Sequence, residues 1–151
     1  LPAAAASDHW RGTLFADHPP AISQLAGFSI DIHTDQGAAG PELFLHAPGE
    51  VWFKLDGAAK RISGQFGLRE ASWKNSGSLV GVRVAVVWCN GGRVEILDQR
   101  ELRPRQEADR AAQVFDVVAP EPHGWIGFVV TTLEGNANAF GHLWWRDVRV
   151  R

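Results

Sequence analysis

The stretch Leu79-Val-Gly-Val-Arg-Val-Ala-Val-Val-Trp88 decides the fold of this 151-residue chain. Its apolar residues alternate as in a strand with one buried face, and that face contains Val80, Val82, Val84, Val86 and Trp88. Arg83 falls on the opposite face, which is therefore at least partly solvated. Asn90-Gly-Gly92 follows as a turn and leads into a second strand over Arg93 to Leu97. The stretch predicts an antiparallel hairpin.

Shorter runs of the same kind lie on both sides of this hairpin, separated by turn signals at a spacing of about 8–12 residues. The expected strands are Gly27 to Thr34, Glu42 to His46, Glu50 to Leu55, Arg61 to Leu68, Gln113 to Ala119, Trp125 to Leu133 and Leu143 to Val150. Ala21 to Leu25 and Gln106 to Ala112 are each compatible with a single turn of helix. The spacing of the strands predicts an all-β sandwich or barrel.

Length and composition predict one globular domain. Hydrophobic residues make up 45% of the chain and charged residues 21%, which is enough apolar material for a buried core. Residues 1–26 are expected to form a linker and irregular lead-in, and residues 27–151 the domain. The net charge of -2 disfavours a nucleic-acid partner. No apolar run of about 18 residues is present, so this segment is expected not to insert into a membrane.

Patterns typical of catalysis are weak. The chain lacks a Gly-x-Ser-x-Gly motif, and its acidic residues are scattered rather than visibly paired. Cys89 has no activating motif beside it and is expected to be an inert thiol. The six histidines lack the short spacings of a zinc site. We therefore expect no enzyme, and a small glycan-processing enzyme is the least favoured alternative.

The sequence disfavours a zinc site but leaves a calcium site open. Calcium is bound by oxygens, often backbone carbonyls together with one or two loop carboxylates. Glu70 and Asp147 are the candidate side-chain ligands, with Glu134 as a third contributor. The alternative is that all three are ordinary solvated acids.

The stretch from Gly135 to Trp145 contains residue types that suit a polyhydroxylated ligand. Asn136 and Asn138 offer amides, His142 offers an imidazole, and tryptophan offers a flat apolar face. Trp144 and Trp145 are adjacent in a strand, so they point to opposite faces and one of them belongs to the core. The plainer alternative is that each tryptophan serves packing alone.

Several segments, in the same order, resemble the NPCBM family of carbohydrate-binding modules, first noticed beside glycoside hydrolases. His46-Ala-Pro-Gly-Glu-Val-Trp-Phe-Lys-Leu-Asp-Gly57 is similar to the family's His-Ala pair and the strand that ends in Leu-Asp-Gly. Ser76-Gly-Ser-Leu-Val80 resembles its entry into a central strand, and Gly135-Asn136, His142 and Trp145-Arg-Asp147-Val148 resemble its closing motif. The resemblance covers about residues 40 to 150. It implies a jelly-roll β-sandwich of two antiparallel sheets, galactose-binding-like, with sugar bound at loops on one edge and often a structural calcium.

The chain departs from the family pattern at three places. Pro41-Glu-Leu-Phe-Leu45 stands where the family has a glycine-rich approach to its histidine. Leu68-Arg69-Glu70 stands where the family has paired aspartates, and His142-Leu143-Trp144 stands where it has His-Ala-Asp. Trp144 is therefore either a new stacking platform or a sign that the ancestral site has been lost.

These patterns predict a non-catalytic module that binds a neutral mono- or oligosaccharide. The expected sugar contacts are His46, Trp73, Asn136, Asn138, His142 and Trp144. We expect the module to belong to a larger exported or membrane-anchored carbohydrate-active protein, in the periplasm or outside the cell. The alternative is an accessory β-sandwich that packs on its parent-protein domains without binding sugar. An exposed tryptophan beside the histidines favours the first hypothesis, and a broad apolar patch over the tryptophans favours the second.

Overall fold

The computed structural model describes residues 22–25, 31–33, 42–74, 80–133 and 141–151. The strands are β1 (Ile22–Leu25), β2 (Asp31–His33), β3 (Glu42–His46), β4 (Gly49–Lys54), β5 (Arg61–Leu68), β6 (Val82–Asn90), β7 (Arg93–Leu102), β8 (Gln113–Val118), β9 (Trp125–Thr132) and β10 (His142–Val150). A short helix, α1 (Ala71–Lys74), follows β5, and a 3-10 helix (Glu107–Arg110) lies between β7 and β8.

The described strands form two five-stranded antiparallel sheets. Sheet A has the order β1-β4-β9-β6-β7, and sheet B has the order β2-β3-β10-β5-β8. The two sheets pack face to face, with β9 at the centre of one and β10 at the centre of the other. The expected all-β sandwich of two antiparallel sheets is confirmed.

The alternation in β6 produces the buried face that the sequence predicts. Val82, Val84, Val86 and Trp88 are buried, whereas Arg83 on the other face is exposed. Val80 is an exception, because it precedes the first residue of β6 and is exposed. Its predicted place in the core is wrong.

Trp145 joins the two sheets at the centre of the core. Its ring centroid lies 4.9 Å from that of Phe66 and 5.9 Å from that of Phe115, both in sheet B. It lies 4.7 Å from the ring centroid of Phe128 in sheet A. Each such side chain contributes about 1.5–3 kcal/mol by its transfer from water, so this aromatic cluster is a principal source of stability.

Tertiary pairing overrides local sequence preference at two places. Ile22–Leu25, expected as a turn of helix, is strand β1 and pairs with β4 in the register Ile22↔Trp52. The helical expectation fails because the edge of β4 offers this segment backbone partners that a single helical turn lacks. Strand β7 extends to Leu102, five residues beyond its expected end at Leu97, because it pairs with β6 as far as Val82.

At one end of sheet B the ends of three adjacent strands bring together segments that are far apart in the chain. Strand β3 ends at His46, β10 begins at His142, and β5 ends at Leu68. The backbone N–H of Ala47 donates to the carbonyl of Gly141 at 2.8 Å, and the N–H of Arg69 donates to the carbonyl of His142 at 2.9 Å. These bonds continue the sheet into the connecting segments and fix the relative positions of the side chains there.

Candidate functional site

Two neighbouring strands present the candidate site on the outer face of sheet B. In β3 the core residues Leu43 and Leu45 alternate with Glu42, Phe44 and His46, which therefore face outward. In β10 the outward residues are His142, Trp144 and Arg146. The register pairs His46 with His142, Phe44 with Trp144, and Glu42 with Arg146. We call these six residues, together with Arg69, the site face.

Two imidazoles lie side by side at the loop end of the site face. The ring centroids of His46 and His142 are 4.6 Å apart, and the edge of Phe44 meets His142 at 5.4 Å. His46 Nδ1 lies 2.7 Å from the carbonyl oxygen of Ala47. Because a carbonyl only accepts, this contact places a proton on Nδ1. The predicted pair of histidines is thus brought together.

The environment of His142 disfavours its protonated form. Burial lowers the pKa of the His142 imidazole below its ordinary value, and electrostatic interactions with His46 and Arg69 lower it further. A neutral imidazole carries one donor and one acceptor nitrogen, which suits a hydroxyl group. At neutral pH the site therefore offers hydroxyl-binding chemistry at His142.

Trp144 lies on the site face but does not present an open face to solvent. Its indole lies across Gly67 on β5, so close that a Cβ at Gly67 would be 2.5 Å from Cζ2. The Arg146 guanidinium lies 4.0 Å from the ring centroid, and the indole N–H donates to the carbonyl of Leu68 at 3.2 Å. Trp144 is only 8% exposed. As expected, one of the adjacent pair, Trp145, is core, while Trp144 is covered by its neighbours.

Glu42 links the two strands to the segment that follows β5. Its Oε1 accepts from Arg69 Nη2 at 2.7 Å, and its Oε2 accepts from Arg146 Nε at 2.7 Å. The Arg69 guanidinium lies over the ring of Phe44 at 4.9 Å. Charged hydrogen bonds and cation–π contacts therefore hold this end of the site face together.

Trp73 belongs to α1, which is tied to the site through the backbone of His142. Ser72 Oγ donates to the His142 carbonyl at 3.4 Å. Trp73 itself is partly buried against the core, with the Arg110 guanidinium 5.8 Å from its ring. It is the predicted tryptophan that keeps an accessible part beside this edge of the sandwich.

The two expected calcium ligands do not meet. Glu70 forms an ion pair with Lys74 just beyond the end of β5. Asp147 lies in a bulge of β10 opposite the middle of β5, on the order of 15 Å away along the strands. No three His, Cys, Asp or Glu residues converge on a common point within the described ranges. These side chains therefore do not fit a calcium ion bound by both.

The backbone conformation at position 147 accounts for the aspartate there. Its φ is 51°, in the left-handed region that asparagine, aspartate and glycine tolerate best. This conformation coincides with the register shift between Arg146 and Arg149 in the pairing of β10 with β5.

Some predicted residues cannot be placed, and other site residues were not predicted. Asn136, Asn138 and Glu134 lie outside the described residues. Glu42, Phe44, Arg69 and Arg146 belong to the site face but were not expected there. The signal for three of them was the alternation of β3 and β10, which places them on the same face as His46 and His142.

The fold is shared with carbohydrate-binding modules of known structure. A CBM51 module in complex with GlcNAc, solved with INT domains from Clostridium perfringens ZmpB, is 14% identical, with 92% of this chain and 31% of that chain covered and a TM-score of 0.69. A CBM51 module from Clostridium perfringens GH95, in complex with methyl-galactose, is 12% identical, with coverage of 87% and 94% and a TM-score of 0.64. Tandem CBM51 modules of Sp3GH98 from Streptococcus pneumoniae are 12% identical, with coverage of 82% and 36% and a TM-score of 0.58.

These similarities confirm the all-β sandwich that the sequence predicts. The chain spans less than one third of the ZmpB chain that it matches. No family model and no curated protein sequence matches the chain, so membership of the NPCBM family stays a prediction. No helix among the described residues is long and apolar enough to cross a membrane.

Proposed function

We propose that this domain is a non-catalytic carbohydrate-binding module. The observation that carries the proposal is the pair His46 and His142, whose rings lie 4.6 Å apart at the loop end of a sandwich shared with CBM51 modules. Two of those modules were solved with methyl-galactose and with GlcNAc. The domain would belong to a larger exported or membrane-anchored carbohydrate-active protein.

His142 would bind a ring hydroxyl, because a neutral imidazole carries one donor and one acceptor nitrogen. His46 is 7% exposed and its Nδ1 proton is donated to the Ala47 carbonyl, so it would support His142 and offer at most its Nε2 as an acceptor.

Asn136 and Asn138 would add amide contacts from the segment that precedes β10. Trp73 would supply apolar contact with the sugar ring, since its indole keeps an accessible part. Trp144 could stack on a sugar only after Arg146 moves from its ring. In place of the expected stacking role, we assign it the packing of the layer beneath the site.

Such a shallow site should bind a single sugar weakly, with a Kd of about 10⁻³ to 10⁻⁵ M, or about 4–7 kcal/mol. Tethering to a parent protein that holds further sugar sites would raise the effective affinity. Cys89 is not needed for this function, and burial raises the pKa of its thiol, which disfavours the reactive thiolate.

Isothermal titration with galactose, N-acetylglucosamine, mannose and arabinose tests the proposal. We expect saturable binding of at least one sugar, and a loss of about tenfold or more in His142→Ala, which removes a hydrogen bond to the ligand, and in His46→Ala, which removes the ring that packs against His142. His123→Ala is the matched control, since it removes an exposed imidazole from the other end of the sandwich. Absence of binding at tens of millimolar across the panel would reject the proposal for these ligands.

A second candidate function is favoured by one observation on the opposite face of the molecule. Val94 and Ile96 of edge strand β7 are 64% and 60% exposed. They lie beside Val87 and Cys89 on the outer face of sheet A, and they suit an accessory domain that packs on another domain of its parent protein. This function requires Val94→Lys or Ile96→Lys to weaken that association, while sugar binding stays unchanged.

A further inference from the structure

A charged cluster lies next to the histidine pair on the site face. Glu42 is hydrogen-bonded to Arg69 through one oxygen and to Arg146 through the other, each at 2.7 Å. A guanidinium remains protonated at every physiological pH, so one carboxylate faces two permanent positive charges. The cluster of these three side chains therefore carries an excess positive charge.

The excess charge is presented outward. Arg69 and Arg146 are 38% and 36% exposed, whereas Glu42 is 14% exposed. A ligand that approaches the site face meets guanidinium N–H groups before it meets the carboxylate. An anionic group is attracted by this arrangement, and a neutral one gains nothing from the charge.

Arg69 is the arginine that a ligand on the histidines would reach. Its backbone N–H donates to the His142 carbonyl at 2.9 Å, and its guanidinium covers Phe44, whose ring contacts His142. Within the described part of the chain, no acceptor reaches its buried Nε. Arg146, by contrast, lies against the Trp144 ring. The charge of Arg69 also contributes to the lowered pKa of His142, which indicates electrostatic coupling between the two residues.

We infer that the site prefers sugars that carry a carboxylate, and that Arg69 is the residue that binds the carboxylate group. This inference rests on the proposed function and narrows its ligand from the neutral sugars expected from sequence to uronic acids and similar acidic sugars. The His142 imidazole binds a hydroxyl, and the guanidinium pairs with the carboxylate in the geometry that arginine favours. Glu42 then competes with the ligand for the same guanidinium.

The sharpest test compares galacturonate with galactose by isothermal titration at low ionic strength. The two sugars share the ring and the hydroxyl stereochemistry, and they differ in the carboxylate at C6. We expect galacturonate to bind about fivefold more tightly or better, and the difference to shrink at high salt.

Two substitutions should change the affinity for galacturonate in opposite directions. Arg69→Gln should remove the preference for galacturonate, because it deletes the charge that pairs with the carboxylate. Glu42→Gln should raise the affinity for galacturonate severalfold, because it removes the competing anion and leaves both arginines in place. A purely structural role of this ion pair would weaken binding in both variants. Arg83→Gln, which breaks a surface ion pair with Glu101 on sheet A, is the matched control.

The possible results separate this inference from the proposed function. A preference for galacturonate that is lost in Arg69→Gln and increased in Glu42→Gln supports both. Equal affinity for the two sugars overturns the inference and leaves the proposed function standing. Weaker galacturonate binding in Glu42→Gln, with a native thermal melt, also overturns it. Failure of both sugars to bind rejects the proposed function for this pair of ligands, and the inference with it.

Discussion

At the scale of single residues, the site face depends on positions where one side chain fits only because its neighbour is small. Gly67 is such a position, since the indole of Trp144 occupies the space where a Cβ would be. Glycine is required there by the close approach of the indole and not by its own backbone conformation. The neighbouring strand thus determines where Trp144 lies, and Trp144 in turn supports Arg146.

Gly67→Ala should lower the free energy of unfolding by about 1–3 kcal/mol, because the added methyl group forces the indole out of its packed position. Urea denaturation followed by tryptophan fluorescence measures this loss. Gly92→Ala is the control, because a Cβ at Gly92 meets no atom within 4 Å. Equal stabilities of the two variants would show that Trp144 does not rest on Gly67.

At the scale of elements, β3, β10 and α1 surround His142 with groups that disfavour its protonation. Burial lowers its pKa most, and His46, which faces it from β3, and Arg69, which precedes α1, lower that pKa further. The carboxylate of Glu42, farther along β3, would by itself favour protonation, but it is paired with Arg69. The folded-state pKa of His142 lies below the ordinary 6.5, so the unfolded chain takes up this proton more readily. Protonation of His142 therefore opposes folding.

The pH dependence of stability has a definite direction, because the pKa of His142 is lower in the folded protein than in the unfolded chain. The stability associated with neutral His142 is complete above pH 6.5 and decreases as the pH falls toward its lowered pKa. Thermal melts between pH 7.5 and about 5.5 should show a falling Tm, and His142→Gln should show a shallower fall. The explanation fails if the two proteins respond to pH with the same slope.

The elements also show what sequence patterns can and cannot reveal. The alternation of β6 predicts its buried face, because a period of two is a property of the strand itself. The strand β1 was missed because its pairing with β4 is a tertiary interaction that leaves no local signal. The charged cluster was missed for a similar reason, since Glu42, Arg69 and Arg146 meet only through the registers of β10 with β3 and β5. The residue types of its own segment indicate His142, and the family resemblance joins it to the distant His46.

At the scale of the whole molecule, the structural calcium implied by the family resemblance would raise the stability of the folded state. A bound ion stabilises the native state by about 2.7 kcal/mol at 100 times its Kd, so its removal lowers the Tm. Because Glu70 is paired with Lys74 and lies apart from Asp147, we expect the double variant Glu70→Gln/Asp147→Asn to show the same response to EGTA as the unsubstituted protein, whatever the size of that response. Loss of the response in the double variant would show that at least one of the two carboxylates binds the ion.

The position of β10 has a consequence for folding of the protein during its synthesis. This strand lies at the centre of sheet B, between β3 and β5, although both precede it by many residues. Until the ribosome has released residues 142–150, no strand joins the pair β2–β3 to the pair β5–β8. The core tryptophan Trp145 and the site histidine His142 arrive together with that strand. Translation therefore delivers the binding site and the means of closing the sandwich in the same step, and a nascent chain that lacks this strand has neither.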